Sequence, residues 1–147
     1  MNLRDQLTSD MKDAMRAKDA VRLRTIRSLR AAIQSADIDA RGGEGLDEEA
    51  VLAVEAKQRR DAITQYESAD RDDLVATEQE ELDVIETYLP KQMSDAELAQ
   101  AVDQVVTQSG ATGMADMGKV MGQAMGRFKG KAEGGRVQQA VKARLSA

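Results

Sequence analysis

Between residues 118 and 134 a glycine recurs at every fourth place: Gly118, Gly122, Gly126, Gly130 and Gly134, in "GKVMGQAMGRFKGKAEGG". Lys119, Arg127, Lys129 and Lys131 are threaded among them. Each glycine inside a helix costs about 1 kcal/mol relative to alanine. Four residues is close to one helical turn, so Gly118, Gly122 and Gly126 drift slowly around one side of a helix. Side chains that small let another backbone come near. That backbone belongs either to a helix of the same domain, to a neighbouring subunit or to a nucleic acid. The chemistry such a segment offers is attraction of anions by cations set beside accessible backbone. "GKAEGG" is expected to turn the chain into its last helix, where free amides meet a phosphate as readily as at any helix start.

Bond-making chemistry finds little support. The chain has no histidine and no cysteine. The commonest general base, the commonest transition-metal ligand, thiolate nucleophiles and disulfides are therefore absent. Carboxylates abound, but no spacing selects an acid–base pair, and no nucleophile–base constellation can be named. Lysine or tyrosine remain as bases, and no cofactor or metal is expected. Only Tyr66, Tyr88 and Phe128 are aromatic. A contact with RNA would therefore run through phosphates and shape rather than base stacking.

Charge is uneven along the chain. From Lys119 onward seven basic residues face one acid, a net +6, which leaves −11 for residues 1–118 out of −5 for the whole. The basic segment either meets an anionic partner or complements acids of its own molecule. No apolar run is long enough to span a bilayer. The start, "MNLRDQLTSDMKDAM", is a charged amphipathic pattern rather than a signal peptide, so the expected location is the cytosol.

The elements that must position these residues are helices. Leu3, Leu7, Met11 and Ala14 make a first stripe; Leu23, Ile26, Leu29 and Ile33 a second, ended at Gly42-Gly43. Asp47 caps a third, with Val51, Val54, Ala62 and Tyr66 inward. Leu74, Glu78, Leu82, Ile85 and Leu89 trace a fourth, which Pro90 stops. "SDAE", Ser94 to Glu97, is a capping box for a fifth, with Leu98, Ala101, Val102, Val105 and Val106 inward. Met117, Val120, Met121, Ala124, Met125 and Phe128 line a sixth, and Val137, Ala140, Val141 and Leu145 a last. The methionines are expected in the core, where they fill irregular gaps. No segment sustains strand alternation. The expected fold is all-α: a four-helix N-terminal part over 1–90, then a small three-helix domain over 91–147.

Three other patterns compete for attention. "GMADMGKV", Gly113 to Val120, fits the phosphate-loop pattern up to its last place, but Val120 stands where a hydroxyl should bind magnesium, and no strand precedes it. Nucleotide binding is not expected. Arg16, Lys18, Arg22, Arg24, Arg27 and Arg30 form a second basic patch. Arg24 and Arg27 share a polar side, Arg22 falls toward the apolar arc, and pairing with the acid-rich fourth helix is the simplest account. Glu55 and Arg59, one turn apart, suit a partly buried pair or an interdomain contact.

"RLRTIRSLRAAI" (22–33), "KQRRDAITQYESADRDDL" (57–74), "EQEELDVIETYLPKQMSDAEL" (78–98) and "DMGKVMGQAMGRFKGKAEGGRVQQAVKARL" (116–145) together resemble the YqeY family. That family is similar in fold to the C-terminal tail of the B subunit of aspartyl/glutamyl-tRNA amidotransferase. The resemblance implies a two-part helical fold and a link to transfer RNA, since the related tail holds the tRNA body away from the chemistry. It also brings a carbon–nitrogen ligase activity with glutamine as nitrogen donor, which belongs to a larger assembly whose kinase-like and amidase parts are missing here. On this resemblance Lys119, Arg127, Lys129, Lys131, Arg136 and Lys142 neutralise phosphates of a tRNA or other structured RNA. The expectation is an accessory RNA-binding protein, non-catalytic on its own. Its rivals are a module docking on an aminoacyl-tRNA synthetase or amidotransferase, and an amidotransferase component with a catalytic contribution.

Overall fold

A computed structural model describes residues 2–40 and 45–147. Those residues contain seven α-helices and no strand: α1 Leu3–Ala17, α2 Ala20–Asp39, α3 Glu48–Ser68, α4 Asp72–Glu86, α5 Asp95–Ser109, α6 Met117–Phe128 and α7 Gly134–Leu145, with a 3-10 turn at Met114–Asp116. The all-α expectation holds. The stop expected at Gly42-Gly43 lies outside the described residues. The chain divides into two compact units, Met1–Leu89 and Pro90–Ala147.

Local chemistry sets the helix ends of the first unit. Asn2 accepts from the Asp5 amide, Asp19 from Arg22 and Asp47 from Ala50, so each of α1, α2 and α3 starts on a side-chain cap. Lys18 closes α1 in the left-handed conformation and the next residue opens α2, which makes the connection as short as it can be. Leu7, Ile26, Leu29, Ile33, Leu52, Ala56, Leu82 and Ile85 form the core of this unit. Each of the leucine and isoleucine side chains contributes about 1.5–3 kcal/mol on burial. Thr25 is also fully buried. Its hydroxyl donates to the Val21 carbonyl at 2.8 Å, one turn back, so its polar atom costs little there.

One inward stripe is corrected. Val54 is 55% exposed, whereas Leu52 and Ala56 are fully buried. Val54 lies two residues, about 200°, around the helix from Leu52. The apolar residues of α3 surround most of the helix, so periodicity alone did not single out the side that meets α2 and α4. Glu55 and Arg59 do pair, at 2.6 Å with side chains 17% and 13% exposed, and Arg59 also donates to Ser28 on α2. The pair is thus internal to the first unit.

The second unit is built on α5, α6 and α7. Ser94 and Glu97 form the expected capping box, and Gly110 ends α5 at φ 72°. Leu98, Val102, Val105 and Val106 of α5 pack with Val120, Ala124 and Phe128 of α6 and Val137, Val141 and Leu145 of α7. Met117 and Met121 lie against this core, but Met125 is 42% exposed. It sits one residue, about 100°, past buried Ala124, so the expectation of three core methionines is corrected to two.

Candidate nucleic-acid interface

The glycine series divides by role. Gly134 packs: a Cβ there would stand 3.3 Å from the Met125 methyl. Gly130 turns the chain after α6, at φ 79°, where other residues are strained. Gly118, Gly122 and Gly126 do neither, because a Cβ on any of them would meet nothing within 4 Å. All three lie on the exposed side of α6. Close packing by these glycines inside their own unit is therefore excluded, and α6 presents bare backbone at its surface.

The cations around that face are held to different degrees. Lys119 donates its ammonium to the Ser109 carbonyl at 3.1 Å, at the carboxyl end of α5, where a positive charge is favoured. Arg127 donates to the Gln108 side chain at 3.3 Å. Both side chains thus reach from α6 toward the end of α5. Neither contact neutralises the cation. Lys129 caps α6, and Lys131 lies two residues on, in the turn before α7. The Lys131 side chain and that of Lys142, on the outer side of α7, make no hydrogen bond or ion pair among the described residues.

Arg136 is placed differently. Its guanidinium donates to the Met93 carbonyl and to Asp95, both at 2.8 Å. The Met93 amide donates in turn to the Lys131 carbonyl at 2.8 Å, and the Gln92 amide group to the Gly130 carbonyl at 2.9 Å. These bonds strap residues 92–93 to the turn that carries Lys129 and Lys131. Arg136 therefore positions that turn through Met93. Arg144, at 2.6 Å from Asp103, is ion-paired as well. Sequence reasoning missed the strap because its partners are backbone atoms about forty residues away.

Elsewhere the competing patterns resolve. Met114–Asp116 is a 3-10 turn leading into α6, and Val120 is fully buried, so no phosphate loop forms there. Among the described residues no cluster of histidine, cysteine, aspartate or glutamate is placed to hold a metal ion, and no helix is long and apolar enough to cross a membrane. In the front patch Arg24 pairs with Glu81 of α4 at 3.6 Å. Arg22 and Arg16 instead pair with Asp10 and Asp13 of α1.

Comparison with known proteins adds a family. A family model described as "Yqey-like protein" matches residues 4–145. The protein named "Altered inheritance of mitochondria protein 41, mitochondrial" from Lachancea thermotolerans is 38% identical over 107 residues, covering 69% of this chain and 57% of that protein. The protein of the same name from Meyerozyma guilliermondii is 36% identical over 132 residues, covering 83% and 68%. That from Saccharomyces cerevisiae is 39% identical over 95 residues, covering 63% and 51%. The matched region spans about half to two thirds of these curated relatives. They also correct the expected cytosolic location, since each is named as mitochondrial. Absence of cysteine and an amphipathic first helix are features of a fold, and they do not encode a compartment.

Proposed function

The chain belongs to the YqeY-like family, and from that premise and the geometry above we propose that it is an accessory binder of structured RNA, tRNA in the first place. The observation that carries this reading is the open face of α6. Gly118, Gly122 and Gly126 meet nothing, and Lys119 and Arg127 stand on the same helix without an acid to neutralise them. A phosphate backbone can approach such a face closely and find cations at its edges. Lys129, Lys131 and Lys142 extend the positive surface over the following turn and α7. The contact is one of shape and charge, with no base-reading side chain required.

The test is binding of purified protein to total tRNA across a salt series. Two variants accompany it: Lys119, Arg127, Lys129 and Lys131 changed together to glutamate, and Lys131→Glu/Lys142→Glu alone. The second pair breaks no side-chain hydrogen bond or ion pair among the described residues, so its loss of binding reports the interface. Salt-dependent binding that weakens in both variants, with circular dichroism unchanged, is the expected result. Equal binding by all three proteins would sink the reading.

A second reading rests on a separate observation. Met125 and Met114 are 42% and 44% exposed on the same unit. Flexible thioethers at a surface suit a protein partner, and an aminoacyl-tRNA synthetase or amidotransferase is the partner the family suggests. That complex would survive moderate salt, whereas an RNA complex held by phosphates would not.

A further inference from the structure

The first unit holds a groove that the reading above does not use. It runs between α1 and α2, floored by Leu7 and Ile33, which are 0% and 3% exposed. Arg27, Arg30 and Gln34 line it from α2, and Thr8 from α1. Arg4 and Asp37 lie at its rim, bonded to each other at 3.3 Å, and Arg4 also bonds Glu48 at 3.0 Å. Arg4 thereby shares its single charge between Asp37 and Glu48.

The two arginines inside it are unlike their neighbours. Arg4, Arg16, Arg22, Arg24, Arg59 and Arg71 of this unit each pair with a carboxylate. Arg27 has no partner among the described residues, and Arg30 donates only to the neutral sulfur of Met11, at 3.0 Å. This occurs in a unit where residues 1–89 carry thirteen basic and twenty-one acidic side chains. Acids are in excess, yet among the described residues none pairs with either guanidinium group. Arg27 and Arg30 are three residues apart, so they project from adjoining turns on one side of α2. Two planar five-donor guanidinium groups on adjoining turns, both exposed at the groove, match the oxygens of a phosphoryl group. The Gln34 amide and the Thr8 hydroxyl add neutral groups for the rest of the ligand.

We propose that the α1–α2 groove is a phosphoryl-binding site in which Arg27 and Arg30 hold the phosphate oxygens of the ligand. The same chemistry recognises a free phosphorylated small molecule or a phosphate of an RNA backbone, and the experiment separates these sources. The side-chain Nε resonances of Arg27 and Arg30 are followed by NMR in the full chain at low salt. One titration uses inorganic pyrophosphate and a second uses total tRNA. Saturable shifts at both arginines with pyrophosphate indicate a site for a free phosphoryl group. Saturable shifts with tRNA alone indicate a backbone phosphate. Either result supports the site, provided that Arg27→Gln removes the response. That variant breaks no hydrogen bond or ion pair among the described residues, so it keeps its fold while losing the ligand. The variant with Lys119, Arg127, Lys129 and Lys131 reversed should still answer pyrophosphate, which keeps this result separate from the fate of the α6 face. No saturable shift with either titrant overturns the proposal. Shifts no larger than those at exposed Lys12, on the same helix pair, overturn it too, because they show only general attraction of anions.

Discussion

Tyr88 donates its hydroxyl to Asp10 at 2.5 Å, and Arg22 approaches the same carboxylate at 3.7 Å from α2. Three segments that sequence spacing does not relate are joined at one half-buried carboxylate. Burial, and then the bond to Asp10, hold the Tyr88 phenol well above its usual value of 10.0. A raised folded value means that the protonated phenol stabilises the fold fully below the unfolded value, near pH 10. That stability is lost as pH rises through the higher folded value, because the unfolded chain ionises first. Tyr88→Phe should therefore cost about 1 kcal/mol near neutral pH. The gap between wild type and variant should close above pH 10, as read by urea unfolding at each pH. A gap that stays constant into alkaline solution would contradict the bond. None of this was legible in the sequence, where Tyr88 was one aromatic near a proline, whereas Glu55 and Arg59 announced their pairing by lying one turn apart.

Helices were the most legible level of the molecule, for a physical reason that particular ends make plain. The side-chain oxygens of Asp47 and Ser94 accept amide protons three residues on, so a cap is a local event and leaves a local signature. Burial is not local. Val54 and Met125 fit apolar stripes yet face outward, because the neighbours of α3 and α6 decide which side is covered. The glycines of α6 show the same limit. Spacing suggested close packing, but Gly118, Gly122 and Gly126 meet nothing, whereas Gly134 approaches Met125. Here the structure yields a sharp expectation. Alanine at Gly122 meets no atom and removes the conformational freedom that glycine brings to a helix, so Gly122→Ala should stabilise the second unit by about 1 kcal/mol. The same methyl group stands where an RNA backbone would approach, so tRNA affinity should fall although the fold is firmer. Thermal unfolding and binding, measured on one preparation, check both directions. A stabilised variant with unchanged affinity would place the RNA elsewhere.

Across the whole molecule, charge is divided along the same line as the two units. Residues 1–89 carry an excess of eight acids, and residues 90–147 an excess of three bases. Ion pairs such as Arg24–Glu81 and Arg60–Glu86 engage acids of the first unit, and its excess of eight acids remains beyond any such pairing. The second unit pairs Arg136 and Arg144 with Asp95 and Asp103, and apart from Lys91 its other cations are carried by α6, the following turn and α7. Contact of the α6 face with a polyanion should then draw on those few cations, so its salt dependence should count few contacts. Each phosphate neutralised adds about 0.7–0.9 to the slope of log affinity against log salt. Changing Lys131 and Lys142 to glutamine removes two such contacts and should flatten that slope by about 1.5 for tRNA. Changing Arg136 to glutamine acts through Met93 and the turn instead. It should weaken binding at every salt concentration while leaving the slope nearly unchanged, since the guanidinium already has its acid in Asp95. A slope change for Arg136→Gln as large as for a lysine would show that its ion pair opens to receive phosphate, and would move Arg136 from the scaffold into the interface.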